Sequence, residues 1–235
     1  MSEARQALAE QLAEAVYQAL ADDLVNQSRA LLVVSGGSTP VPFFKALAQK
    51  PLEWARVDIT LADERWVDEQ SSDSNAKLVR ENLLQGPAAA ANFVPLTSDA
   101  GTPEEGVPAV AEATAGLAWP ASVVILGMGG DGHTASLFPD SQELGLALST
   151  DEPLVAVRTP SQPQPRITFS ADRCIRRSAT FYISPATISV PYWPTPWVVT
   201  MFARCRFARF YLARWRSTGR PNKPPSPITI CLETH

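Results

Sequence analysis

Histidine is the scarcest functional residue in this chain: there are two in 235 residues, His133 and the carboxyl-terminal His235. Cysteine is nearly as rare. Cys174, Cys205 and Cys231 all fall in the last third, at spacings that suit neither a zinc site nor a redox pair, and an odd number cannot form a closed disulfide set. No apolar run approaches the roughly 20 residues of a membrane span. A basic excess is also missing, since 20 Lys and Arg face 24 Asp and Glu for a net charge of -4. That balance argues against nucleic acid or an anionic membrane as the main partner. The first residues lack the basic-then-apolar layout of a signal peptide. These absences lead us to expect a cytoplasmic, soluble protein; a monomer is expected as well. Its length suits one large domain or two small ones.

What is present centres on Val123 to Pro139. Val123 to Leu126 reads as a buried parallel strand. Glycines at 127, 129, 130 and 132, with Asp131 among them, then force a sharp turn that exposes backbone N–H groups and ends in His133. Gly127, Gly129 and Gly132 formally match G-x-G-x-x-G, but the next strand, Leu154–Val157, does not end in the acidic residue that would hold a ribose. A strand that stops in a glycine turn carrying an imidazole is where an open α/β sheet places its chemistry.

The remaining chain fits that sheet. Ala4 to Leu24 carries apolar residues at Leu8, Leu12, Val16 and Leu20, the stripe of an amphipathic helix. Leu31 to Val34 is a short strand followed by Ser35-Gly36-Gly37-Ser38-Thr39-Pro40 and a helix faced by Phe43, Phe44 and Leu47. Strand, Gly-Gly-Ser-Thr, helix points free N–H groups and hydroxyls at an anion; an ordinary capped turn is the alternative. Val57 to Ala62 is a strand that ends in Asp63-Glu64-Arg65-Trp66, with charges at its carboxyl end. Ser72 to Asn75 caps a helix reaching Leu84, and Glu104 to Leu117 is a weaker one. Leu154–Val157 and Arg166–Phe169 are read as further strands. This alternation predicts an open, mostly parallel twisted α/β sheet with helices on both faces, Rossmann-like in outline.

Five pieces taken in order resemble the 6-phosphogluconolactonase family, within the group of sugar-phosphate isomerases and deaminases. They are Ser35 to Pro40, Leu61 to Trp66, Asp73 to Asn75, Gly127 to Pro139 and Pro165 to Thr168. The resemblance implies a sugar-phosphate isomerase/deaminase fold and hydrolysis of 6-phospho-D-glucono-1,5-lactone to 6-phosphogluconate, with no metal, nucleotide or other cofactor. It puts His133 forward as the general base, since a free imidazole titrates near ~6.5 and accepts a proton from water at neutral pH. Asp131 either orients that ring or binds a sugar hydroxyl. The turn N–H groups from Gly129 through Gly130 to Gly132, or the Arg65 guanidinium, would stabilise the developing oxyanion. Gly36, Gly37, Ser38 and Thr39 would hold the 6-phosphate together with Arg166. Asp63 and Asn75 complete the expected crevice, Asp63 in an open role. Glucosamine-6-phosphate deaminases resemble the same turn but follow the histidine with Ile-Ala-Phe-Asn-Glu-Pro. Here Thr134 to Pro139 puts Phe138 where that glutamate assists ring opening, and a phenyl ring cannot move a proton. A non-catalytic sugar-phosphate sensor would keep the phosphate loop without needing His133.

From about residue 174 the resemblance stops, dividing the chain into a lactonase domain at 1–173 and an atypical segment at 174–235. The segment is basic, aromatic and broken by proline, so no helix or central strand is expected there. Read one base out of register, Thr187 to Trp193 can encode Asp-Lys-Arg-Thr-Val-Leu, Arg204 to Phe210 can encode Met-Pro-Ile-Arg-Ala-Ile, and Arg214 to Pro221 can encode Leu-Glu-Val-Tyr-Trp-Ala-Pro. A genuine divergent extension is one reading of the segment; the other is a frame shift from near residues 174–178, costing a strand, a helix and a lysine near the phosphate.

Overall fold

The computed structural model describes residues 3–127, 129, 131–175 and 177–183. Helix α1 (Glu3–Asn26) lies against β1 (Ala30–Val34) and β5 (Ala121–Gly127) and against α2 (Val41–Ala48). Leu12, Val16 and Leu20 of α1 are fully buried, as their four-residue spacing requires, and each removes ~1.5–3 kcal/mol of apolar surface from water. β2 (Val57–Leu61) and β4 (Asn92–Val94) extend the sheet on one side of β1. On the other side β5 is followed by β8 (Arg177–Ile183). The order is β4-β2-β1-β5-β8, and every pairing is parallel. β1 and β2 are buried along their whole length; β1 reads accordingly as an apolar run, whereas β2 carries Asp58 and Thr60 between its apolar residues. The two polar residues inside β2 are satisfied: Asp58 accepts from Arg29 and Asn92, and the Thr60 hydroxyl donates to the Val94 carbonyl at 2.8 Å.

Two features depart from the sequence-based expectation. Leu154–Val157 (β6) and Arg166–Phe169 (β7) do not join the parallel sheet. With Asp63–Arg65 (β3) they form a separate antiparallel sheet of order β3-β7-β6. β3 starts one residue after β2, so the chain turns out of the main sheet at Ala62, whose carbonyl accepts from Phe169 N–H at 3.0 Å. Helix α4 (Pro103–Ala115) covers β6 and β7. The second departure is β8, which continues the parallel pairing into the segment where no helix or central strand was expected and stands at the edge of the described sheet. The other expectations for that segment, at 184–235, lie outside the described residues. Helix α3 (Asn75–Asn82) begins at Ser74, whose Oγ accepts from Lys77 N–H at 3.1 Å. The short helices α5 (Leu144–Ser149) and α6 (Ala171–Ile175) complete the described chain. No described helix is long and apolar enough to cross a membrane.

The chain leaves β1 toward β2 on one side, while β5 and β8 occupy the other. The carboxyl ends of β1 and β5 therefore bound the crevice of an open α/β sheet. Ser35 stitches the two ends together, its N–H donating to the Ile125 carbonyl at 3.0 Å and its Oγ accepting from Gly127 N–H at 3.2 Å.

Candidate active site

A cleft of about 290 Å³ opens at those strand ends, lined by residues from both loops and from the antiparallel sheet. Its β1 side is the glycine loop. Gly37 has φ +87°, a conformation that favours glycine. Gly36 is required for a different reason: a Cβ there would overlap the Asn75 side-chain amide. Asn75, buried at the start of α3, is held from three directions. Its Nδ2 donates to the Asp63 carbonyl at 2.9 Å, its Oδ1 accepts from Arg65 Nη1 at 2.5 Å, and its main-chain N–H donates to Glu64 at 2.8 Å. Arg65 also donates to the Asp73 carbonyl at 3.2 Å. The guanidinium thus stands beside the glycine loop, one amide away from Gly36.

Its β5 side is the histidine turn. Gly129 N–H donates to the His133 carbonyl and Gly132 N–H to the Gly129 carbonyl, both at 2.9 Å. Gly132 has φ +86°. Asp131 Oδ1 lies 2.6 Å from His133 Nδ1 and also accepts the His133 main-chain N–H at 3.2 Å. Burial raises the Asp131 carboxyl, but these bonds from His133 outweigh it and hold the group below the ordinary aspartate value. With Nδ1 committed to a carboxylate, the proton sits on Nδ1 and the lone pair is on Nε2. The ring stacks on Phe138 with centroids 4.3 Å apart.

Arg166 reaches the same end from β7. It is 5 % exposed, and its Nη1 donates to Asp63 Oδ2 at 3.3 Å and to Ser136 Oγ at 3.4 Å, while Nη2 donates to Gln162 at 3.3 Å. Its guanidinium carbon lies 5.1 Å from the Phe138 ring centroid. Burial pulls the Arg166 pKa down and the facing Asp63 carboxylate opposes that pull; a guanidinium remains charged throughout. Asp63 is itself buried and accepts the Ser136 hydroxyl at 2.6 Å. A base, two fixed cations and a cradle of backbone and amide groups therefore face one space. That set can bind an oxyanion at one end and deprotonate a water at the other.

A sequence family described as glucosamine-6-phosphate isomerases/6-phosphogluconolactonase matches residues 3–183. The chain belongs to this family. Among its relatives, 6-phosphogluconolactonase of Pseudomonas aeruginosa is 46% identical over 159 residues, 67% of each chain. That of Mesorhizobium japonicum is 44% identical over 173 residues, 73% of each. The crystal structure of a 6-phosphogluconolactonase from Shewanella baltica superposes with a TM-score of 0.79 at 32% identity, covering 98% of this chain and 94% of the other. The family match ends with β8 at residue 183, nine residues beyond the break expected near 174.

Of the residues expected from the family resemblance, Gly36, Gly37, Thr39, Asp63, Arg65, Asn75, Gly129, His133 and Arg166 all line the cleft. Ser38 does not: it is exposed, and its carbonyl accepts Val41 N–H at 3.4 Å. Asp131 stands behind the ring rather than on the cleft wall. Gly130 lies outside the described residues. The amides of Gly129 and Gly132, expected as oxyanion donors, are already spent on closing the turn. Sequence reasoning missed Gln162 as a cleft residue, because it is one amide in a proline-rich loop and carries no local pattern. Phe138, singled out in the sequence only as standing where the deaminases carry a glutamate, lines the cleft as well.

Proposed function

We propose that this cleft hydrolyses 6-phospho-D-glucono-1,5-lactone to 6-phospho-D-gluconate with His133 as general base. The observation that carries the reading is the Asp131–His133 pair, 2.6 Å apart, whose imidazole lines the same cleft as a glycine loop backed by Asn75 and Arg65. The relatives named above supply the substrate. His133 Nε2 takes a proton from water as its oxygen attacks C1, giving a tetrahedral oxyanion. Collapse breaks the bond from C1 to the ring oxygen, and the imidazolium returns its proton to that oxygen. The product acid then ionises.

The contacts favour an exchange of the two arginine roles from those first expected. Arg65 is bonded to Asn75, which packs on Gly36, so we assign Arg65 to the phosphate with Gly36, Gly37 and Thr39. Arg166 is bonded to Ser136 of the histidine turn and borders the ring that stacks on His133. With the Gly129 and Gly132 amides committed, we assign Arg166 to the oxyanion. We further propose a cytoplasmic, monomeric enzyme acting on this small molecule alone; the net charge of -4 supports the absence of a nucleic-acid partner.

The test is the rate of lactone loss above its spontaneous hydrolysis, using the full chain. His133→Ala should lower kcat by about 10²- to 10⁴-fold while 6-phosphogluconate still binds. Equal rates for the two proteins would reduce the cleft to a sugar-phosphate sensor.

A further inference from the structure

Glu64 has no part in that mechanism, yet it is 0% exposed one residue from Arg65 and beside the cleft. A carboxylate placed there without partners would be costly. Instead each of its oxygens is shared between two donors. Oε1 accepts the main-chain N–H groups of Arg65 and Asn75, both at 2.8 Å. Oε2 accepts Ala76 N–H at 2.8 Å and the Ser74 hydroxyl at 3.3 Å. Two of these four donors belong to the residues that form the anion cradle, and the other two fix the first turn of α3, from which Asn75 projects. All four face the carboxylate as donors, so only an acceptor on both sides satisfies them.

We infer that Glu64 is a positioning residue for the phosphate end of the substrate, fixing Asn75 and Arg65 against Gly36. It touches no substrate atom. Its carboxylate ties the end of β3 to the start of α3, so that the Asn75 amide occupies the space a side chain at 36 would fill and presents Oδ1 to the Arg65 guanidinium. Burial raises its pKa, and the N–H groups of Asn75, Ala76 and Arg65 oppose that shift without cancelling it; the role rests on the four bonds. The inference rests on the reading of the cleft as a sugar-phosphate site.

A Glu64→Gln substitution keeps the shape and one acceptor oxygen but turns an NH₂ toward two donors, so one side of the clamp opens. The experiment measures 6-phosphogluconate and gluconate binding to the full chain by calorimetry, beside steady-state lactone hydrolysis. Expected are ~10-fold weaker 6-phosphogluconate binding and a matching rise in KM, with kcat within about 3-fold. Gluconate, which lacks the phosphate, should bind wild type and variant alike. In an Asn75→Ala background Glu64→Gln should add little, because the two act through one contact. If Glu64→Gln does not fold, Glu64→Asp, which keeps the charge but falls short of one pair of donors, is read in the same way. Unchanged 6-phosphogluconate binding, or an equal loss for gluconate, would overturn the inference. A wild-type chain that binds 6-phosphogluconate no better than gluconate would instead overturn the reading of the cleft itself.

Discussion

Gly129→Ala isolates the alignment of the proposed base from everything else in the site. A Cβ at Gly129 would overlap His133 Cε1 and Nδ1 and would come 2.7 Å from Asp131 Oδ1. Ordinary contact lies near ~3.5–4.0 Å, so the ring must withdraw by about 1 Å and the Asp131 bond must stretch or break. A charge-assisted hydrogen bond contributes ~1.5–3 kcal/mol, equivalent to roughly 10- to 150-fold in rate. Because the Asp131 side chain is 49% exposed, the lower end of that range applies to the bond itself. A displacement of about 1 Å of the base costs up to ~10²-fold by itself. We therefore expect kcat to fall by ~10²- to 10³-fold, with KM within about 3-fold, since the cradle on the β1 side is untouched. Steady-state lactone hydrolysis gives both constants, and a thermal melt within about 3 °C of wild type shows that the fold is intact. Undiminished kcat in a folded Gly129→Ala protein would refute the placement of the base.

The exchanged arginine roles predict a split. Arg65→Ala should raise KM by ~10- to 100-fold with little change in kcat, whereas Arg166→Lys, which keeps a charge opposite Asp63 but loses the fork, should lower kcat by ~10²-fold; the reverse pattern in steady-state kinetics would restore the first assignment. Acid stability has a sign fixed by Asp58. Burial raises that carboxyl, but its bonds from Arg29 and Asn92 outweigh this and leave it below the unfolded value, so its contribution is present above about pH 4 and lost as the pH falls further. Asp58→Asn should cost ~1–2 kcal/mol at pH 7, a figure kept low because Arg29 is 39% exposed, and the gap to wild type should narrow in denaturant melts at pH 3.

The sequence revealed the parts of the fold that depend on local pattern. The stripe Leu12, Val16 and Leu20 and the apolar runs Leu31–Val34 and Val123–Leu126 became α1, β1 and β5, because one buried face dictates residue type at each turn. The antiparallel sheet stayed hidden. β3 is three charged residues, Asp63 to Arg65, and its pairing with β7 depends on Thr168 and Arg166, roughly a hundred positions away. β8 was missed because Arg173, Arg176 and Arg177 mask the run Ala179 to Ile183 in the sequence. The same limit applies to the site. Gly36, Gly37, Gly129 and His133 announce themselves by residue type. The assignment of each arginine to one wall depends on Asp63 meeting Ser136 and on Arg65 meeting Asn75, pairings that no spacing encodes.

The Asn75 amide and the absent side chain of residue 36 compete for one volume. Any larger residue at 36 would have to evict the amide, and with it the partner that steadies Arg65, so a change in either loop obliges a change in the other. Redesign of this wall for a different anion would have to begin with that pair, altered together.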